Sequence, residues 1–359
     1  MPKGISVYMG LGYTLEQNTE YIENAKKHGF ENIFTSLHIP EADYKKSIDE
    51  FKHMVDFAKK LGMKVTADIS PRTFKYLGAD MGDFKVLYDM GLYGLRVDFG
   101  FSPEEIAQFT RNPYGMKIEI NASTVTQRFL NEFEKHKPDF GNFQACHNYY
   151  PRQNTGISIE TCISKDRLLK KYDILISAFI PSLTNKRGPI YEGLPTLERH
   201  RSMQPQIAAK HLFALGIDNV VFGDSIPSDE EIASVGSIDE DVLELRVDTY
   251  TSSEIEKNIM FKNVHQNRPD PAEDVIRSTA SRESLPPDTR IEPCNNIERN
   301  IGDITIDNSG YLRYCGELEI CKKKLSLDKR INVTGKVIDE EMFLLDYIGE
   351  ETKFKLVGR

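Results

Sequence analysis

Five ionisable side chains stand near the ends of stretches that otherwise read as buried strands: Asp68, Asp98, Glu119, His147 and Asp224. The sharpest case is Lys117-Ile118-Glu119-Ile120-Asn121-Ala122-Ser123, where a carboxylate and an amide occupy the centre of an alternating strand pattern. Burying an unpaired charge is costly, so such a group is retained for pairing or for chemistry. Two carboxylates facing one pocket suit glycoside hydrolysis, in which one donates a proton to the leaving oxygen and the other acts as nucleophile or base. Glu119 is the leading candidate for the acid/base role, with Asp98 or Asp68 as its partner. Asp68, Asp98, Glu119 and His147 also offer donors for a divalent ion. No HxH or HExxH pair fixes one, however, so neither a metal nor a cofactor is expected.

These residues need a scaffold that brings strand ends together. Short apolar runs at 5–9, 32–36, 64–69, 94–99, 117–121, 142–147, 174–179 and 219–223 alternate with helical patterns at 14–28, 42–61, 84–90, 103–112, 124–136, 166–171 and 203–215. Glycine closes several helices, as in His28-Gly29, Leu61-Gly62 and Leu215-Gly216, which is the C-terminal signal expected of a helix. Eight strands alternating with helices predict an α/β fold, a closed (β/α)8 TIM barrel, with its chemistry at the C-terminal strand ends. The first strand is followed by no GxGxxG, which counts against a dinucleotide fold. Beyond Asp224 the pattern changes to β-rich: alternation at 241–250 and strands at 303–306, 311–320, 331–337 and 341–347. The expected division is a catalytic barrel over 1–237 and a β domain over 238–359.

Composition narrows the function classes. Hydrophobic residues make up 39% and charged residues 28% of 359 residues, ordinary values for a globular protein. A net charge of −9 argues against a general nucleic-acid binder. Five cysteines without metal spacing suit reduced thiols in a cytoplasm, and no apolar run is long enough to span a membrane. A cytoplasmic location with no nucleic-acid or membrane partner is therefore expected.

Other polar groups could hold a ligand. His147-Asn148-Tyr149-Tyr150-Pro151-Arg152 offers an aromatic face for a sugar ring, an amide and an imidazole for its hydroxyls, and an arginine for an anion. Asn121 would join His147, Asn148 and Tyr150 in orienting the sugar. Arg187 follows the seventh strand, where barrels often bind phosphate, and Asp224 ends the eighth. In the tail, Arg277, Arg282, Arg313 and Tyr311 could bind phosphate or close over a substrate.

Five motifs carry a family resemblance: Gly4-Ile5-Ser6-Val7-Tyr8, Asn112 through Glu119, His147-Asn148-Tyr149-Tyr150-Pro151, Gly193 through Arg201, and Arg313 through Ile320. Together they resemble the 6-phospho-N-acetylmuramidase family over nearly the whole chain. The resemblance implies a TIM barrel followed by a cyclophilin-like β-barrel domain. It further implies cytoplasmic cleavage of 6-phospho-N-acetylmuramyl-N-acetylglucosamine to N-acetylmuramic acid 6-phosphate and N-acetylglucosamine during peptidoglycan recycling. If the substrate's own acetamido group attacks the anomeric carbon, the second carboxylate only orients that group. A metal-dependent sugar-phosphate isomerase or lyase and a non-catalytic phosphosugar-binding protein are the rival readings.

Overall fold

The structure, a computed structural model, describes residues 3–10, 12–36, 44–283, 285–286 and 289–359. The chain divides into two compact units, Met1–Ser237 and Ile238–Arg359.

The first unit is a closed eight-stranded parallel barrel in sequential order: β1 (Lys3–Ser6), β2 (Asn32–Ser36), β3 (Lys64–Asp68), β4 (Gly94–Arg96), β5 (Lys117–Asn121), β6 (Phe143–Cys146), β7 (Ile176–Ile180) and β8 (Asn219–Ser225). Helices α1 (Leu15–Lys27), α2 (Tyr44–Lys60), α3 (Pro71–Leu77), α4 (Lys85–Met90), α5 (Pro103–Thr110), α6 (Gln127–Lys135), α7 (Ile159–Lys170), α8 (Pro205–Ala214) and α9 (Asp229–Gly236) connect or follow them. The TIM barrel expected from the alternating pattern is thus present. Residues Ile33, Val65, Leu95, Ile118, Ala145, Ile176 and Val220 are buried, each fully buried aliphatic side chain contributing roughly 1.5–3 kcal/mol. The intervening positions carry the polar groups, because successive strand side chains point to opposite faces.

Local chemistry sets the helix starts. Capping boxes pair Thr14 with Gln17, Ser102 with Glu105 and Ser228 with Glu231, so that side chain and backbone satisfy each other's first free N–H groups. The Ser228 capping box starts α9 in an acidic stretch, Asp229, Glu230 and Glu231, for which no helix was expected. Helix α7 begins at Ile159, seven residues before the expected 166, because Ser158 caps it by accepting from Thr161 N. Residues 42 and 43, the expected start of α2, lie outside the described residues.

The second unit holds a mixed seven-stranded sheet, ordered β10 (His265–Gln266), β15 (Lys353–Gly358), β9 (Leu243–Thr249), β14 (Ile331–Val337), β12 (Asp303–Asp307), β13 (Leu318–Cys321) and β11 (Val275–Arg277). Only β15 and β9 pair in parallel among these neighbours. Leu245, Val247, Ile304, Ile306, Leu318, Ile320 and Phe354 pack with Ile259 and Met260 of α10 (Glu254–Phe261) into its core. Two expected strands are otherwise: residues Ser309–Tyr314 form a 3-10 turn before β13, and Asp339–Tyr347 is a 3-10 segment. Among the described residues, no helix is long and apolar enough to cross a membrane.

Candidate active site

Register places one polar row across four strands: Asp68 is paired with Arg96, Arg96 with Glu119, and Glu119 with Gln144. Asp68 ends β3, whereas Gln144 is the second residue of β6, so the row descends from the C-terminal mouth into the barrel. Arg96, only 2% exposed, is the hub. Its Nη1 lies 3.4 Å from Glu119 Oε1 and donates to Cys146 O at 2.9 Å, while Nη2 donates to Asn148 Oδ1 at 2.6 Å. Burial opposes the Arg96 charge, but Cys146, Glu119, Asp98 and Asp68 around it outweigh burial and hold the guanidinium protonated. Glu119 is 3% exposed, and its Oε2 accepts from Gln144 Nε2 at 2.7 Å. Burial raises its pKa, with Arg96 and Gln144 pulling the other way.

Glu119 therefore lies beneath Arg96 rather than at the mouth. It lines a cavity of about 300 Å³ at the opposite, N-terminal end, together with Asn32, Thr66, Gln144, Ser177 and Asn219. The mouth retains Asp68, which accepts from Ser36 Oγ at 3.3 Å, and half-buried Asp98, two residues past β4. Both act on Arg96 from close by.

The mouth also has an aromatic floor. Phe34 meets Phe179 with ring centroids 5.2 Å apart, Tyr149 meets Phe179 at 5.1 Å, and Tyr8 meets Phe34 at 6.4 Å. The Arg187 guanidinium carbon lies 4.2 Å from the Tyr8 ring centre and 5.2 Å from that of Tyr149, and Nη1 donates to Tyr149 OH at 3.2 Å. Among the described residues, no carboxylate side chain pairs with Arg187 at ion-pair distance. Stacking on two phenol rings fixes the cation while leaving its charge available.

Three expected ligands of the mouth instead build the loops around it. Asp224 is fully buried; it accepts backbone N–H bonds from Arg187 at 2.8 Å, Ser182 at 2.9 Å and Leu194 at 3.1 Å. It shapes the loop that presents Arg187, its two oxygens taken up by these backbone donors. The preceding Gly223 is required by that loop, since a Cβ there would meet Leu194 O at 2.4 Å. His147 is also fully buried, because Cys146 faces the barrel interior and the next residue must face out. Its Nε2 lies 2.8 Å from Asp166 Oδ1 on α7 and its Nδ1 3.0 Å from Ser123 Oγ. Asn121 spends its Oδ1 on Ser123 N at 2.9 Å.

Asn148 reaches the mouth. Tyr150 is half-buried with its backbone fixed, N donating to Pro195 O at 3.0 Å and O accepting from Arg201 Nη1 at 3.0 Å. Arg152 is exposed, and its carbonyl accepts from Arg201 Nη2 at 3.1 Å. Arg201, within a family-like motif but assigned no role from sequence, also binds Gly193 O and makes two 2.6 Å bonds to Glu198. Glu198 accepts from Asn154 N and Gly156 N as well. The Arg201 hydrogen bonds lead in pulling its pKa down to about 2, aided by those two N–H groups. The pair ties the loop after β6 to the loop after β7.

In the second unit the tail cations are already partnered. Arg277 donates twice to Glu317 Oε1, at 2.9 and 2.5 Å, and Arg282 Nη2 lies 3.8 Å from Glu317 Oε2. Tyr311 stacks under Arg330 at 4.2 Å, and Arg313 donates to Tyr314 OH at 2.8 Å. A phosphate on Arg277 would have to share its guanidinium with the buried Glu317 carboxylate. The same carboxylate competes at Arg282.

The four-residue metal set considered from sequence does not converge, since His147 faces away from the interior. Among the described residues, the group whose donors do lie together, all within 4.8 Å, is His147, Cys162 and Asp166.

Fold and mouth together define a TIM-barrel protein with a charged C-terminal mouth and an appended mixed β unit. A model described as 6-phospho-N-acetylmuramidase, N-terminal, matches residues 3–237, and one described as 6-phospho-N-acetylmuramidase, C-terminal, matches residues 243–357. The chain belongs to the 6-phospho-N-acetylmuramidase family, whose name denotes a glycosidase. Its fold is similar to that of an uncharacterized B. cereus protein, with a TM-score of 0.87 and 34% identity over 99% of both chains. It is also similar to a conserved Enterococcus faecalis protein of unknown function, with a TM-score of 0.73 and 34% identity over 100% of this chain and 97% of that one. No curated protein matches the chain.

Proposed function

We propose that this protein hydrolyses 6-phospho-N-acetylmuramyl-N-acetylglucosamine to N-acetylmuramic acid 6-phosphate and N-acetylglucosamine, as a cytoplasmic step of peptidoglycan recycling. The observation that carries this reading is Arg187: a cation stacked on Tyr8 and Tyr149, without a carboxylate partner among the described residues, beside a mouth that holds carboxylates. Such a cation suits a phosphate dianion, and family membership supplies the reaction class.

Because Glu119 lies under Arg96, the reacting carboxylates are assigned to Asp98 and Asp68. Asp98 gives its proton to the glycosidic oxygen as the bond to the anomeric carbon breaks. Asp68, held by Ser36, faces the developing positive charge as nucleophile or by orienting the acetamido group. Asp98 then takes a proton from water while the water oxygen bonds to the anomeric carbon and displaces the Asp68 or acetamido oxygen bonded there, which restores both carboxyl groups. Glu119 serves as the counter-ion that fixes Arg96.

Mass-resolved turnover of the phosphorylated disaccharide beside its unphosphorylated counterpart, with and without chelator, tests the reading. Cleavage confined to the phosphorylated sugar and indifferent to chelator is expected. Loss of turnover on chelation, or equal cleavage of both sugars, would replace it.

A further inference from the structure

A buried hydrogen-bond chain behind the mouth has no part in the steps above. It starts at Asp166 on α7, passes through His147 Nε2 at 2.8 Å, leaves from Nδ1 to Ser123 Oγ at 3.0 Å, and ends where Asn148 N donates to Ser123 Oγ at 3.1 Å. Its direction follows from the groups themselves. A carboxylate accepts, so Nε2 carries the imidazole proton, Nδ1 accepts from the Ser123 hydroxyl, and the hydroxyl oxygen remains to accept from Asn148. Cys162 Sγ adds a donor to Asp166 Oδ2 at 3.4 Å. Ser123 is 8% exposed and His147 0%, so this serine, histidine and aspartate form no nucleophile open to a substrate.

The chain converges on Asn148, which is held at three atoms. Its N–H is taken by Ser123, its carbonyl accepts from Thr196 Oγ1 at 2.8 Å, and its side-chain oxygen accepts from Arg96 Nη2 at 2.6 Å. A guanidinium has no acceptor, so the amide atom facing Arg96 must be oxygen. The amide NH2 is what remains, and no described residue accepts from it.

We propose that Asp166, acting through His147 and Ser123, is a positioning residue that fixes Asn148 as a one-way hydrogen-bond donor to a substrate oxygen at the mouth. The substrate group it selects is an acceptor: an acetamido carbonyl or a sugar oxygen. This rests on the proposed reading only in that the substrate is taken at the C-terminal mouth.

Two measurements on the full chain test it. The first needs no substrate: ¹⁵N-histidine labelling, with His147 assigned by loss of its signals in His147→Gln. A neutral ring protonated on Nε2 is expected. Protonation on Nδ1, or one equivalent of zinc in the purified protein that is lost in Cys162→Ser, would overturn the chain. The second is a double-mutant cycle on turnover, with thermal melting to exclude unfolding. Ser123→Ala and Asp166→Asn should each lower kcat/KM by about tenfold. In the Asn148→Ala background the same changes should cost less than about twofold. Equal losses in both backgrounds would reduce the chain to plain structural support. If the wild type turns over no phosphorylated disaccharide, the proposed reaction fails while the imidazole signals still decide the chain.

Discussion

The two ends of the barrel hold polar groups in different ways. At the N-terminal end the cavity is surrounded by groups that satisfy one another: Asn32 donates to Asn219 at 3.1 Å, Asn219 to Ser177 at 3.1 Å, and Gln144 to Glu119 at 2.7 Å. At the C-terminal end the network is turned the other way. Asp224, Arg201 and Ser123 hold backbone from behind, and among the described residues the groups left over are the Arg187 charge and the Asn148 amide, beside two carboxylates that face Arg96. Room alone is therefore a poor guide to chemistry here. Polar capacity that the protein itself does not use is the better one.

The largest expected effect sharpens that contrast. Asp98→Asn should lower kcat on the natural disaccharide by about 10²–10⁴-fold, the range for losing a positioned proton donor. On an aryl glycoside, whose leaving group needs no proton, the loss should nearly vanish in kcat/KM, which reports the bond-breaking step, and persist in kcat, which includes the water step. Asp68→Asn should lose both substrates. If Glu119→Gln alone reproduced the aryl-glycoside pattern, the acid would sit below Arg96 and the assignment to the mouth would fail.

Glu119 links the two ends, so its removal reads mainly as stability. Glu119→Ala leaves the Arg96 charge buried without its counter-ion, and breaking such a pair costs about 3–5 kcal/mol. Urea unfolding measures this. A variant as stable as the wild type would show that Arg96 does not depend on Glu119.

Arg187→Met comes next. Charge-assisted hydrogen bonds contribute roughly 1.5–3 kcal/mol, so the change should raise KM for the phosphorylated disaccharide by about 10–150-fold. It should leave any residual binding of the unphosphorylated sugar unchanged. Equal losses for both sugars would make Arg187 a packing residue of the aromatic floor.

Acid should loosen the loops that frame the mouth. Glu198 has its folded pKa lowered to about 2, against an unfolded value of about 4.3. A depressed carboxylate contributes stability above its unfolded pKa, and that contribution fades as pH falls from about 4.3 toward 2. Protection of the Asn154 and Gly156 amides from hydrogen exchange should fall in that window, and Glu198→Gln should remove the pH dependence.

How much of this was legible in the sequence depended on the distance over which each feature is decided. Alternating strands and glycine-closed helices are local, and they predicted the barrel and put Asp68, Asp98, Asn148 and Arg187 at its C-terminal end, where the structure has them. The direction of His147 turned on a single step along β6: with Cys146 inside, the next side chain faces α7. The role of Arg96 required the register that places it opposite Glu119, 23 residues away. Asp224 and Arg201 bind the backbone of distant loops, which no residue pattern announces. In the second unit, apolar spacing read 341–347 as a strand although it folds as a 3-10 segment, and β15 passed unnoticed.

The smallest expected effect bears most directly on the contrast between the ends. Asn32→Ala removes a neutral side chain from the N-terminal cavity, away from the row that climbs from Gln144 through Glu119 and Arg96 to Asn148. With its partner Asn219 still bonded to Ser177, turnover should stay within about twofold, the scale of substitutions that disturb no buried network. Gln144→Ala at the foot of that row is the sharper control, since it strips Glu119 Oε2 of its donor and should weaken Arg96 measurably. If Asn32→Ala matched Gln144→Ala in kcat/KM, the whole cavity would be coupled to the mouth, and the N-terminal end could no longer be assigned to stability alone.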